Sequence, residues 1–165
     1  MTNASRKTAR KALAGILKTA LQTDPTVTPA DGKLVVTVYD HIPPKFEESP
    51  VVCIGSVSTA PAGQGLGNTG PAKQTFRYQT LVFVAVGESS TYTASDADDL
   101  LDDIEASIRG LIRSNPVNDA WSIIRFAGQQ SKTQPGQPTR IVPVKVAGKK
   151  YNLEVISVDV EVYDQ

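Results

Sequence analysis

The 165-residue chain has little of what familiar covalent or metal chemistry requires. Its one cysteine, Cys53, cannot form a disulfide within the chain. With one histidine, His41, beside that single cysteine, the chain offers no recognisable zinc site. No apolar run approaches the roughly 20 residues of a membrane-spanning helix, and no apolar signal segment follows the first residues. We therefore expect the protein to be made and kept in a cytoplasm, or to assemble there.

The chain also lacks net charge, because 17 lysines and arginines balance 17 acids. This excludes a general attraction to nucleic acid or to an anionic membrane. The charges are nevertheless segregated. The first 23 residues hold five cations and no acid, and the stretch between Arg77 and Arg109 holds seven acids and no cation. Such blocks are either solvated faces of a neutral domain or patches of opposite sign that meet between subunits, as in a ring.

Apolar residues spaced three and four apart predict two helices. The first covers about 5–21, is capped by Ser5 and ends before Asp24-Pro25. The second covers about 96–113, begins at a cap formed by Thr93 or Ser95, and ends at Asn115-Pro116. Acids crowd the first half of this second helix, which suits the helix dipole.

Alternating and β-branched runs predict six strands, at 34–39, 51–54, 76–86, 121–127, 140–146 and 151–163. The second half of the third, residues 81–86, is apolar on both faces, which predicts a central strand covered on both sides. In the last, the apolar residues change parity between Val155 and Val158, so we predict a β-bulge near Ile156-Ser157. Gly148-Lys149-Lys150 predicts a hairpin turn.

Two polar segments rich in turn residues, about 58–75 and 128–138, predict mobile loops, the first of which could instead be a long hairpin tip. The resulting order is α-β-β-β-α-β-β-β. Neighbouring strands joined by short turns favour mostly antiparallel pairing. We therefore predict one domain over residues 1–165, of the α+β class: an α/β sandwich with a mostly antiparallel or mixed sheet flanked by two helices.

Each candidate motif for binding or catalysis lacks the surrounding structure that its chemistry requires. Residues 65–70 match the dinucleotide pattern G-x-G-x-x-G, but Pro71 and a strand follow, where phosphate binding needs a helix N-terminus. Cys53 lies in an apolar run, which favours a buried, inert thiol over a Cys53–His41 pair. The acidic helix lacks a calcium-loop pattern, which favours a solvated face over a cation site. We predict no enzymatic activity and no catalytic, cofactor-binding or metal-binding residues.

The layout of the chain resembles a known family. The chain begins with a basic helix, which is followed by a glycine-rich segment and the strand at 78–84. After these come the acidic segment at 94–105, Trp121 and a long terminal strand. This pattern is similar to the tail terminator proteins of long-tailed bacteriophages, of the minor tail protein U type. The resemblance implies an α/β sheet flanked by helices and a hexameric ring that caps the tail tube and stops polymerisation of the major tail protein.

The resemblance also implies partners: other copies of the chain, the major tail tube protein and a head-neck connector protein. DNA would pass through the lumen of the ring without sequence-specific binding. The protein would be part of the virion, at the head-proximal end of the tail, and assemble in the host cytoplasm without a membrane. Candidate interface residues come from the basic helix, the acidic helix and the two loops: Arg6, Lys7, Arg10, Lys11, Asp98, Asp99, Asp102, Asp103, Gly65, Leu66, Gly67 and Lys132.

Three alternatives stay open. A head-completion or neck protein has a similar layout and would bind capsid connectors. A small enzyme would use Cys53 and His41. A nucleic-acid module would need a stacking platform, and basic residues interleave with aromatic ones only around Phe76-Arg77-Tyr78.

Overall fold

A computed structural model describes residues 5–24, 27, 36–46, 48–62, 73–87, 94–129 and 138–163. Two helices and a mixed sheet of six strands confirm the predicted α+β class. In chain order the elements are α1 (Arg6–Thr23), β1 (Thr37–Tyr39), β2 (Val51–Ala62), β3 (Lys73–Ala85), α2 (Ala94–Ser114), β4 (Ile123–Phe126), β5 (Arg140–Val146) and β6 (Lys149–Tyr163).

The sheet is built around two long central strands, β3 and β6, which pair antiparallel along their whole length from Lys73↔Tyr163 to Ala85↔Tyr151. On one side β3 pairs antiparallel with β2, and β2 pairs parallel with β1. On the other side β6 shares its free edge between two short strands, with residues 149–155 pairing to β5 and residues 158–161 pairing to β4. Among the described strands, the pairing of β1 with β2 is the parallel one, and it makes the sheet mixed.

Helix α1 begins where the sequence predicts, because the Ser5 hydroxyl accepts a hydrogen bond from the Thr8 amide at 3.2 Å and caps the first turn. Its apolar stripe of Ala9, Leu13, Leu17 and Leu21 is buried against the sheet. The hydroxyl of Tyr78, on β3, donates to the carbonyl oxygen of Arg6 at 2.6 Å and fixes the start of the helix onto the sheet.

Helix α2 begins earlier than predicted, at Ala94, so Ser95 lies inside the first turn and the prediction of a Ser95 cap is wrong. The alternative cap, Thr93, lies outside the described residues. Both helices pack on the same face of the sheet, hereafter the helix face, rather than on opposite faces. No helix in the described part of the chain combines the length and the apolar character of a membrane span.

The sheet is buried on both faces, but by different means. On the helix face, Val82 and Val84 of β3 join α1 and α2 in the larger core. On the opposite face, hereafter the back face, Leu81 and Phe83 of β3 join a smaller core with Phe46, Val51, Cys53 and Tyr151. The predicted covering of the third strand on both sides is therefore confirmed.

The predicted bulge near Ile156-Ser157 is wrong, because the register of β6 with β3 is unbroken through these residues. The apolar residues change parity because the back-face core covers only the first half of the strand, where the buried helix-face position is held by the polar Glu154. Tyr151, Leu153 and Val155 belong to the back-face core, whereas Ile156, Val158 and Val160 face the helices. The irregularity in the sheet lies instead in β2, between Ser56 and Ser58.

Several predicted bounds need correction. Residues 58–62 and 73–75 belong to the paired strands β2 and β3, so these ends of the first predicted loop are strand, as the hairpin interpretation requires. Trp121 precedes β4 and forms an isolated bridge with Asn118. The β5–β6 turn is made by Ala147 and Gly148, whose φ angles are 49° and 82°, and Lys149 already belongs to β6. Leu34 and residues 63–72 and 130–137 lie outside the described residues.

Candidate interaction surface

The two helices lie side by side over different parts of the sheet. Helix α1 covers β1 and β2, and α2 covers β3 and β4. They run antiparallel and are staggered, because Asp24, just after α1, accepts a hydrogen bond from Ser107 in the middle of α2, whereas Leu13 packs near Ile112. The first turns of α1 therefore project past the end of α2, and the first turns of α2 project past the end of α1.

The cations of α1 divide into two groups. Lys7, Lys11 and Lys18 are exposed and, being four and seven residues apart, share the flank of the helix that faces away from α2. We call these three residues the lysine flank. Arg6 and Arg10 instead reach the chain's own strand β2.

The guanidinium of Arg6 donates to the Thr59 hydroxyl at 3.4 Å, and that of Arg10 donates to the Ser56 hydroxyl at 3.4 Å. Two of the four basic residues of α1 that the sequence offered as interface candidates are therefore hydrogen-bonded within the chain. Lys7 and Lys11 stay available, and Lys18 joins them.

The acids of α2 lie on the opposite edge of the helical layer. Asp98 and Asp102, one turn apart, are exposed on the flank that faces away from α1, and we call them the aspartate flank. Asp98 accepts a hydrogen bond from the Asn152 amide of β6 at 3.3 Å. Asp99 and Asp103 are exposed on the outer surface of the same helix. All four predicted aspartates thus lie together at the surface.

Two further residues of α2 were missed by the sequence reasoning. Glu105 pairs with Arg109 one turn later, and the Arg109 guanidinium lies over the Phe126 ring of β4, 4.8 Å from its centroid. The spacing of four residues was the available signal. This pair neutralises the part of the helix that follows the aspartate flank, so the free negative charge is concentrated in the first turns of α2.

The acids near the end of the chain are paired within the sheet. On the back face Asp159 accepts two hydrogen bonds from Arg77, at 2.8 and 3.0 Å, and this pairing raises the pKa of Arg77. Glu161 pairs with Arg125 and lies 3.9 Å from the Lys73 ammonium. These charges satisfy one another across strands. Exposed charge of a single sign is found on the two helices and also on the β5–β6 hairpin, where Arg140, Lys145, Lys149 and Lys150 are exposed.

A buried carboxyl group lies beneath α2. Glu154 of β6 is 3% exposed on the helix face, and its Oε2 has no hydrogen-bond partner among the described residues. Burial is the main cause that raises its pKa, and repulsion from Glu105 and Asp102 adds to this, while a hydrogen bond from Thr139 and the charge of Arg109 oppose it. The Thr80 hydroxyl, in the same layer, is also buried without a partner among these residues.

Cys53 and His41 do not form a reactive pair in this arrangement. Cys53 is fully buried in the back-face core, and burial raises its pKa to about 12, which suppresses the reactive thiolate. His41 is exposed, and its Nδ1 lies 2.9 Å from the carboxylate of the adjacent Asp40. The predicted burial of Cys53 is confirmed.

We expect Cys53 to resist thiol-specific reagents in the native protein and to react fully once the protein is unfolded in denaturant. Mass spectrometry after a timed exposure at neutral pH measures this. Rapid native labelling would revive the alternative of a small enzyme that uses Cys53 and His41.

The described residues contain no group of three or more side chains placed to hold a metal ion. The candidate residues Gly65, Leu66, Gly67 and Lys132 lie outside the described residues. No protein-family model matches the sequence, and a search of curated proteins finds no match to it.

Proposed function

We propose that this protein is a structural subunit that assembles into a ring, and that it acts as the tail terminator of a long-tailed bacteriophage. The observation that carries the proposal is the placement of exposed cations and exposed acids on opposite edges of one helical layer. A ring is closed by head-to-tail contacts, in which two different surfaces of the same chain meet. Surfaces of opposite charge at opposite edges suit such a contact, and they also disfavour wrong pairings.

The remaining parts of the proposal follow from the family resemblance. The ring would be a hexamer that caps the tail tube, ends polymerisation of the major tail protein and offers its other side to a head-neck connector. DNA would pass through its lumen without being read, which agrees with a chain of zero net charge. The protein would act without a cofactor and not as an enzyme.

The test is assembly on tail tubes. The purified protein is sized by light scattering over a range of concentrations, and then mixed with assembled tail-tube protein and viewed by electron microscopy. We expect ring-sized particles, or protein bound at tube ends that stops further elongation. A protein that neither self-associates nor binds tube ends contradicts the proposal. Binding to isolated head connectors but not to tubes would favour the neck-protein alternative instead.

A further inference from the structure

The lysine flank is unfavourable for its own helix. The lysines and arginines of α1 face no acid on the same helix, and Arg6 and Lys7 lie in its first turn. The amino terminus of a helix carries partial positive charge, so cations there are locally destabilising, as are like charges one turn apart. Asp40 lies close enough to feel this helix. The pKa of its carboxyl group is lowered, mainly by the hydrogen bond with His41 and also by the charges of Arg10 and Lys11. The chain itself thus compensates this flank only in part.

The aspartate flank matches the lysine flank in spacing and in setting. Lys7 and Lys11 are one helical turn apart, as are Asp98 and Asp102, so each pair spans about 6 Å along its helix. Within the described residues, none of these four side chains makes an ion pair, and all four are exposed. Each flank also lies near an edge of the sheet, since α1 covers β1, and Asp98 is hydrogen-bonded to Asn152, whose neighbour across the sheet is Pro143 of β5.

We infer that the lysine flank of one copy docks side by side against the aspartate flank of a second copy. This inference rests on the proposed ring and specifies its subunit contact. The two-layer sandwich would continue from one subunit to the next, with helix beside helix and with the β1 edge of one copy beside the β4 and β5 edge of the other. Both edges are short, of three, four and seven residues, so charge on the helices, rather than strand pairing, would set the register.

The experiment is a charge swap. The variants K7E/K11E and D98K/D102K are each expected to self-associate at least about tenfold more weakly than the natural chain, because like charges then face each other. An equimolar mixture of the two should assemble again, because opposite charges meet in both kinds of mixed contact. In one contact the new glutamates of the first variant meet the new lysines of the second, and in the other the natural lysines of the second variant meet the natural aspartates of the first. The fourfold variant should also assemble alone. Assembly is measured by sedimentation velocity, with thermal unfolding as the check that each variant folds.

The matched control is K7R/K11R, which keeps the charge and should assemble like the natural chain. If the natural chain assembles but the two reversals assemble equally well, or if their mixture shows no recovery, the contact is overturned while the proposed function stands. A reversal that blocks only binding to tail-tube ends assigns the lysine flank to the tube protein and also overturns the contact. If the natural chain neither self-associates nor binds tubes, the proposed function fails and the contact fails with it.

Discussion

Replacing Phe83 with alanine should lower the free energy of unfolding by about 3–5 kcal/mol, as expected for an aromatic side chain removed from a core. Phe83 projects from β3 onto the back face, where it is 5% exposed. Its ring centroid lies 4.7 Å from that of Phe46 and 6.0 Å from that of Tyr151, so the alanine variant leaves a cavity between two rings. Chemical denaturation monitored by circular dichroism measures the loss.

The matched control lies on the same face of the same strand. Gln79 is four residues before Phe83, in the half of the back face that carries the Arg77–Asp159 pair instead of apolar side chains. Replacing Gln79 with alanine should change stability by less than about 0.5 kcal/mol. Similar losses for the two variants would contradict the division of the back face into an apolar and a polar half.

This division explains where the sequence reasoning succeeded and where it failed. The apolar run of β3 predicted a strand covered on both faces, because every residue of such a strand must avoid water regardless of which element covers it. The parity change in β6 was assigned to a bulge, although it marks the point at which the back-face core ends, after Val155. The back-face core depends on Phe46, which lies about a hundred residues earlier in the chain, and local periodicity contains no information about such a partner.

The candidate interaction surface was also predictable from the sequence only in part. Helical spacing alone placed the aspartates of α2 on its exposed side, because the apolar positions fix which side is buried. Spacing could not separate Lys7 from Arg6, since that difference depends on contact between Arg6 and Thr59 of β2. The pairing of Asp159 with Arg77 likewise joins two strands whose register is set by the whole sheet.

Glu154 was not identified from the sequence, because a carboxylate within an alternating strand is ordinarily expected to face water. Its position is nevertheless in phase with Ile156 and Val158, which places it under α2. Replacing Glu154 with glutamine keeps the size of the side chain and removes its charge. We expect the variant to be more stable than the natural chain near pH 8, because glutamine avoids the cost of burying a charged carboxylate, the same cost that raises the pKa of Glu154.

The pH dependence separates charge from packing. The pKa of Glu154 is raised in the folded protein, so the folded state holds its proton more tightly than the unfolded state. The contribution of this group to stability is therefore fully present below its unfolded pKa of about 4.3, and it is lost as the pH rises through the folded pKa. The advantage of the glutamine variant should accordingly be small near pH 4 and grow toward neutral and alkaline pH.

A second buried group provides the comparison for this effect. The Thr80 hydroxyl is buried and, like the Glu154 oxygen, unpartnered among the described residues, but it does not titrate. Replacing Thr80 with valine should raise stability by roughly 1 kcal/mol at every pH, whereas the gain from Glu154→Gln should change with pH. Denaturation curves at several pH values distinguish the two. If the glutamine variant is no more stable than the natural chain above neutral pH, the Glu154 carboxylate is ionised and compensated in the folded state. Arg109 and Thr139 would provide this compensation, because both oppose the effect of burial on the pKa of Glu154.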